Sequence, residues 1–249
     1  MSLLDVRSAV KRYGHLRALT DVSLEIPAAS GIHGLIGPNG SGKTTLLKAI
    51  AGEHRLTGGR IFLNGADVTR MPMYQRIRRG MGVKFQITSI VSDLSVLDNV
   101  LLAAQSKTST RRLLSSDFES LIDASRRVLD DFWLLDVSHS LAGTLSHGQQ
   151  QWLEIAMAVA RNPTLLLLDE PTAGMGPEER RHTGELLRRL SSEMAIVIVE
   201  HDLDFVRSIC EEITVLESGR VLDRGTPHQV RTSTKVKAAF TGEMEGGPP

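Results

Sequence analysis

Residues 37–44 read Gly-Pro-Asn-Gly-Ser-Gly-Lys-Thr, and few octapeptides restrict a fold as sharply. Gly37, Pro38, Asn39, Gly40, Ser41, Gly42, Lys43 and Thr44 match the spacing G-x-x-x-x-G-K-[ST] of a phosphate-binding loop. The glycines let the backbone wrap closely around phosphate oxygens and present successive N–H donors at a helix N-terminus. Lys43 is placed to reach β- and γ-phosphates, and Thr44 to offer its hydroxyl to Mg²⁺. A glycine-rich turn carrying a chance lysine is the bland reading. The apolar run 32–36 before the loop and the helical-looking 45–50 after it argue against that reading.

Composition bounds what surrounds the loop. A chain of 249 residues with 41% hydrophobic content can bury a full core in one large or two small domains, which excludes disorder for most of it. Lys plus Arg and Asp plus Glu both total 29, so no global basic surplus announces nucleic acid as a partner. Cys210 is the only cysteine, so no internal disulfide can form and a reducing compartment is expected. No apolar run approaches the roughly 18 residues of a membrane span, and residues 1–5 lack a signal-peptide layout. The chain is expected to be soluble and cytosolic.

Segments 3–10 and 16–26 alternate apolar and polar positions, as at Val22, Leu24 and Ile26, and predict half-buried strands. A helix is expected from Thr44 to about Ala51, then a turn at Gly58 and Gly59, a strand and a second turn through Gly65. Residues 83–85 form a weaker strand candidate. From about 92 to 161 the spacing becomes helical, with Leu94, Leu97, Leu101 and Leu102, then Leu121, Val128 and Leu129, then Trp152, Ile155, Ala156 and Val159. This predicts an inserted helical subdomain, within which the Ser/Thr/Lys/Arg-rich stretch 105–116 reads as a solvated loop. Continuous apolar runs at 165–168 and 195–199, separated by an Arg/Glu-rich helix, predict parallel strands buried on both faces. Residues 213–216 and 220–222 predict a closing hairpin, and 242–249 a disordered tail.

A nucleotide-hydrolysing site needs an acidic element on a nearby strand end to hold Mg²⁺ and direct water, and Asp169 and Glu170 end the run 165–168. Four further features follow in order: Gln86 after a strand, Leu145-Ser146-His147-Gly148-Gln149 opening a helix, Ala173-Gly174-Met175 after the acidic pair, and His201 after the 195–199 strand. That order, from Lys11 to about Gly242, resembles the ATP-binding subunit of ABC transporters. The resemblance implies one ABC ATPase domain over 1–241. Its fold class is α/β, a P-loop NTPase core with a mainly parallel sheet, an N-terminal antiparallel β subdomain and an inserted α-helical subdomain at about 92–161.

By the same resemblance Asp169, Thr44 and Gln86 serve Mg²⁺, Glu170 directs the attacking water, and His201 contacts the γ-phosphate. Lys43 and Thr45 bind the phosphates, Gln86 reports nucleotide state, and Tyr13 stacks on adenine. Ser146, Gly148 and Gln149 face the ATP held by an opposite subunit, so ATP would close a head-to-tail dimer, homo- or heterodimeric. The implied partners are ATP, a second ATPase subunit, transmembrane permeases and, indirectly, a solute-binding protein. Its place would be peripheral, on the inner face of the cell membrane. His147 departs from the family's L-S-G-G-Q, standing where the first glycine is usual.

Residues 199–206, the Ala173-Gly174-Met175 variant and the ending 236–242 look like importers of the branched-chain amino-acid group, and 145–155 is more similar to its urea-uptake branch. The expectation is therefore a urea-type importer subunit, with a branched-chain amino-acid or short-amide importer as the alternative. A nucleic-acid-handling ABC ATPase would carry a long coiled coil or a second cassette, and the span from Lys43 to Ser146 is too short for the first. A scaffold that binds nucleotide without turnover is disfavoured by Glu170 and His201.

Overall fold

The computed structural model describes residues 2–28, 31–85, 90–105 and 117–241, with Asp117 and Thr241 as backbone only. Gln86, most of the polar stretch expected at 105–116, and the 242–249 tail lie outside the described residues.

The alternating N-terminal segments form β1 (Ser2–Tyr13) and β2 (Leu16–Pro27), which pair antiparallel. With β4 (Gly58–Leu63) and β5 (Ala66–Asp67) they make a four-stranded sheet in the order β2-β1-β4-β5. Val22, Leu24 and Ile26 are buried on one face, as the period of two requires. The second sheet has six strands in the order β10-β9-β3-β8-β7-β6. Its strands are β3 (Gly31–Ile36), β6 (Met81–Lys84), β7 (Leu165–Asp169), β8 (Ala195–Val199), β9 (Glu212–Glu217) and β10 (Arg220–Gly225). β6, β7, β8, β3 and β9 run parallel, and β10 closes the edge as an antiparallel hairpin with β9.

The apolar runs are divided by parity. Leu166, Leu168, Ile196 and Ile198 face one core, whereas Leu165, Leu167, Val197 and Val199 face the other. A strand covered on both faces can be apolar at every position, which explains why these runs do not alternate. The first core packs against α3 (Val96–Gln105), α5 (His147–Val159) and α6 (Pro177–Leu190). The second packs against α1 (Lys43–Ala51) and the antiparallel sheet. The two sheets are tied directly, because the Thr20 N–H donates to the Gly219 carbonyl at 2.7 Å and Arg224 Nη2 to the Glu25 carbonyl at 2.7 Å.

Between β6 and β7 the chain builds α3, α4 (Asp117–Asp131) and α5. Leu97, Leu101, Leu129, Trp152, Ile155, Ala156 and Val159 are buried as expected, but Leu102 is 52% exposed. The buried stripe of α3 is Val96, Leu97, Val100, Leu101 and Ala104, and Leu102 falls about 100° away from Leu101. Past α4, Trp133 stands at a φ of +55° and packs its ring against Trp152 on α5 and His182 on α6, with centroids 5.5 and 5.4 Å away. Four short helices were not foreseen in the sequence: α2 (Met73–Arg78), α7 (Leu203–Ile209), α8 (Pro227–Thr232) and α9 (Thr234–Thr241).

Candidate functional site

The phosphate loop leaves the carboxyl end of β3 and enters α1, the position at which open parallel sheets place ligands. Gly37 and Gly42 have φ values of +149° and +102°. A Cβ on Gly37 would sit 2.0 Å from the Leu216 carbonyl oxygen, and one on Gly42 would sit 2.6 Å from that of Ala18. The loop is therefore threaded between the end of β9 and β2. Gly40, also at positive φ, has open space at its Cβ position. The loop is closed on itself by the Ser41 N–H, which donates to the Pro38 carbonyl at 3.2 Å, and fixed to the β9–β10 turn by the Gly219 N–H, which donates to the Ser41 carbonyl at 3.0 Å.

Lys43 bends back over the loop, donating to the carbonyls of Gly37 (2.8 Å) and Pro38 (3.0 Å). Burial draws its pKa down, opposed by the charges of Glu170 and Asp169. Thr44 Oγ1 donates to Asp169 Oδ1 at 3.4 Å across the gap between α1 and β7. Asp169 is fully buried, and its second oxygen, Oδ2, has no hydrogen-bond partner. Burial first, then Glu170, pushes its pKa up to about 6. The Ser41 hydroxyl is likewise buried without a partner. These orphaned oxygens beside a buried ammonium fit a cation and phosphate group, since unpaired polar atoms are otherwise costly to bury.

Glu170 follows Asp169 at a φ of +47°, a left-handed conformation that non-glycine residues adopt at a cost of roughly 1–3 kcal/mol. A hydrogen bond from its N–H to the Val199 carbonyl at 2.8 Å, on the neighbouring strand, holds it there. His201 Nδ1 lies 3.8 Å from Glu170 Oε1 and 3.7 Å from Glu200 Oε2. Glu200, which the sequence reading passed over, is fully buried and accepts from both the N–H (3.1 Å) and hydroxyl (2.6 Å) of Thr172. It also accepts from the His201 N–H at 3.3 Å, and so joins the loop after Glu170 to the loop after β8.

Lys84 is a second missed residue. It ends β6, is 4% exposed, and its ammonium lies 3.9 Å from Glu154 of α5. Burial lowers its pKa, against the charges of Glu154, Asp169, Glu200 and Glu170. A lysine within the strand candidate 83–85, directly before Phe85, was the available signal.

Ser146, Gly148 and Gln149 come together at the start of α5. Ser146 caps the helix, accepting from Gln149 N–H at 3.2 Å, and the Gln149 side chain accepts from Ser146 N–H at 3.0 Å. His147 takes the first helical position without disturbing that box, so a side chain is tolerated there. At Gly148 a Cβ would lie 2.2 Å from Glu179 Oε1, so a side chain there would have to displace the Glu179 carboxylate. Tyr13 ends β1, 42% exposed, with its hydroxyl 2.6 Å from His54 Nδ1 and Lys11 over its ring at 4.7 Å. Among the described residues no cluster of three or more His, Cys, Asp or Glu could hold a metal alone, and no helix is long and apolar enough to cross a membrane.

Fold and site together define a P-loop nucleotide-binding protein with an acidic strand end beside the loop. A family profile described as ABC transporter matches residues 19–173. The chain belongs to that family, whose ATP-binding cassettes are ATPases coupled to transport. It is 32% identical to the high-affinity branched-chain amino acid transport ATP-binding protein BraF of Pseudomonas aeruginosa, over 97% of this chain and 98% of BraF. It is 34% identical to LivG of Escherichia coli K12, which carries the same description, over 97% and 98%. Among solved structures, the ADP conformation of MJ1267, an ATP-binding cassette of an ABC transporter, superposes with a TM-score of 0.86 at 27% identity, covering 97% of this chain and 99% of that one. These relatives favour the branched-chain amino-acid expectation over the urea expectation.

Proposed function

We propose that this chain is the ATP-hydrolysing subunit of an importer for branched-chain amino acids, acting from the inner face of a membrane on separate permease subunits. The observation that carries the hydrolytic part is the convergence of Lys43, Thr44, Asp169, Glu170 and His201 at one carboxyl edge of the sheet. The likeness to BraF and LivG over nearly the whole chain supports the cargo.

The loop N–H groups and Lys43 hold the β- and γ-phosphates of ATP. Thr44 Oγ1 and the orphaned oxygen of Asp169 would hold Mg²⁺. The chemistry such an ion would supply there is neutralisation of charge developing on the phosphates. Glu170 orients water for in-line attack and takes its proton, and His201, beside the same carboxylate, donates to the γ-phosphate. Gln86, whose assignment rests on its place after β6 in the sequence, would touch the metal or the attacking water and report nucleotide state to the permeases. Tyr13 stacks on adenine. Ser146 and Gly148 present the N-terminus of α5 to ATP held by a second copy or a sister ATPase, so each complete site draws on two chains. A separate solved structure, of the cassette MJ0796 bound to ADP and Pi, is dimeric; it has a TM-score of 0.79 at 27% identity.

Glu170→Gln tests the reading. This variant should retain ATP binding, lose turnover and elute as a dimer in ATP; continued hydrolysis would remove Glu170 from its role. Cargo is decided by uptake of radiolabelled leucine and urea in cells lacking the gene. Loss of urea uptake alone would favour the urea branch that the sequence around 145–155 resembles.

A further inference from the structure

We infer that His147 is a positioning residue that fastens the ATP-facing start of α5 to the loop following Glu170 in the same chain. The inference rests on the two-chain site proposed above.

Two contacts meet on one short stretch. His147 Nε2 lies 3.2 Å from the Ala173 carbonyl oxygen, which can only accept, so a hydrogen bond here requires a proton on Nε2. The edge of the same ring covers Gly174, where a Cβ would lie 2.9 Å from His147 Cδ2 and Nε2. Gly174 also has a φ of +75°, so glycine is suited to the place by backbone and by space. One residue further along α5, Gly148 touches Glu179, whose other oxygen accepts from the Gly176 N–H at 2.9 Å. The start of α5 is thus held to both ends of residues 173–176.

That loop is connected onward at two more points. Glu200 grips Thr172 and the His201 N–H, and Arg180 donates to the Met175 carbonyl at 3.1 Å while pairing with Asp202 at 2.6 Å. A shift of the α5 start, made when Ser146 and Gly148 take up a phosphate, is therefore passed through His147 to the loop beside Glu170 and His201. A glycine at 147 would leave Gly174 uncovered and the Ala173 carbonyl without this donor. The departure from L-S-G-G-Q thereby gives this chain a link within itself.

The test uses the full chain. Hydrogen exchange at the Ala173 and Met175 amides, both in turn hydrogen bonds, reports loop opening without nucleotide. Losing one exposed hydrogen bond and a ring contact should speed it about two- to five-fold in His147→Ala. His147→Gln, which keeps a donor at similar reach, should stay near the parent. Gly174→Ala should displace the ring, and its effect should not add to that of His147→Ala. In the Glu170→Gln background, His147→Ala should need about five-fold more ATP for half-maximal dimerisation. Unchanged exchange in His147→Ala, or equal loosening in His147→Gln, overturns the hydrogen-bonded link. Faster exchange with an unchanged ATP requirement overturns the relay. A Glu170→Gln parent that never dimerises sinks the two-chain reading instead, and exchange alone then decides the link.

Discussion

Asp169→Asn should make the nucleotide-free protein more stable while ending hydrolysis. The carboxyl is fully buried and its pKa is raised from the ordinary 3.8 to about 6, by burial first and by Glu170 second. A raised folded-state pKa means the stabilising contribution is fully present below the unfolded value and lost as pH rises through about 6. At pH 7.5 the folded state therefore carries the whole cost of an ionised buried carboxylate. A gap of about two pH units at roughly 1.4 kcal/mol each sets a ceiling near 3 kcal/mol. Solvent screening on the open side of the phosphate loop reduces this to about 1.5 kcal/mol. Asparagine keeps the acceptor for Thr44 and, like aspartate, leaves its second polar atom unpartnered, so removal of the charge dominates the comparison. In a chain of this size that corresponds to melting about 3–6 °C higher at pH 7.5 in EDTA. Thermal melts of both proteins from pH 5 to 7.5 measure it, with the difference vanishing toward pH 4. A variant that melts lower at pH 7.5, or a difference independent of pH, would refute the reasoning.

Gly37→Ala should abolish ATP binding and lower stability by more than about 2 kcal/mol, because its methyl meets the Leu216 carbonyl; urea titration and nucleotide binding measure both. Lys84→Met should lower stability, by at most about 3–5 kcal/mol, through loss of the buried ion pair with Glu154, and the same urea titration measures it; an unchanged midpoint would remove the pair from the stability of the β6–α5 contact. Tyr13→Ala should weaken ATP binding about five-fold by calorimetry with the fold intact, and unchanged affinity would remove the ring from the adenine site.

Much of this arrangement was legible in the chain because its determinants are local. The loop 37–44 carries its own backbone demands, and the runs 165–168 and 195–199 are short, apolar throughout and, at 195–199, mostly β-branched, which favours strands buried on both sides. Helices α2, α7 and α8 were not legible, since six or seven residues span under two turns and show no period. Leu102 was misjudged because helical spacing identifies a stripe only once the neighbouring sheet fixes its centre. Glu200 and Lys84 escaped for a different reason. Each works through partners far along the chain, Thr172 and Glu154, and nothing in the residues beside them reports that distance.

The stack of Trp133, Trp152 and His182 has a practical consequence. The chain has two tryptophans, and both stand in that stack, where the end of α4 and α5 meet α6. Trp152 is also tethered by its indole N–H to Thr183 of α6 at 2.9 Å. Any rotation of the helical segment against α6 must part the Trp133 ring from His182, now 5.4 Å away by centroids, and no other indole contributes background. The unlabelled protein thus carries an intrinsic optical readout of that motion, placed by its own packing at the seam between the helical segment and α6.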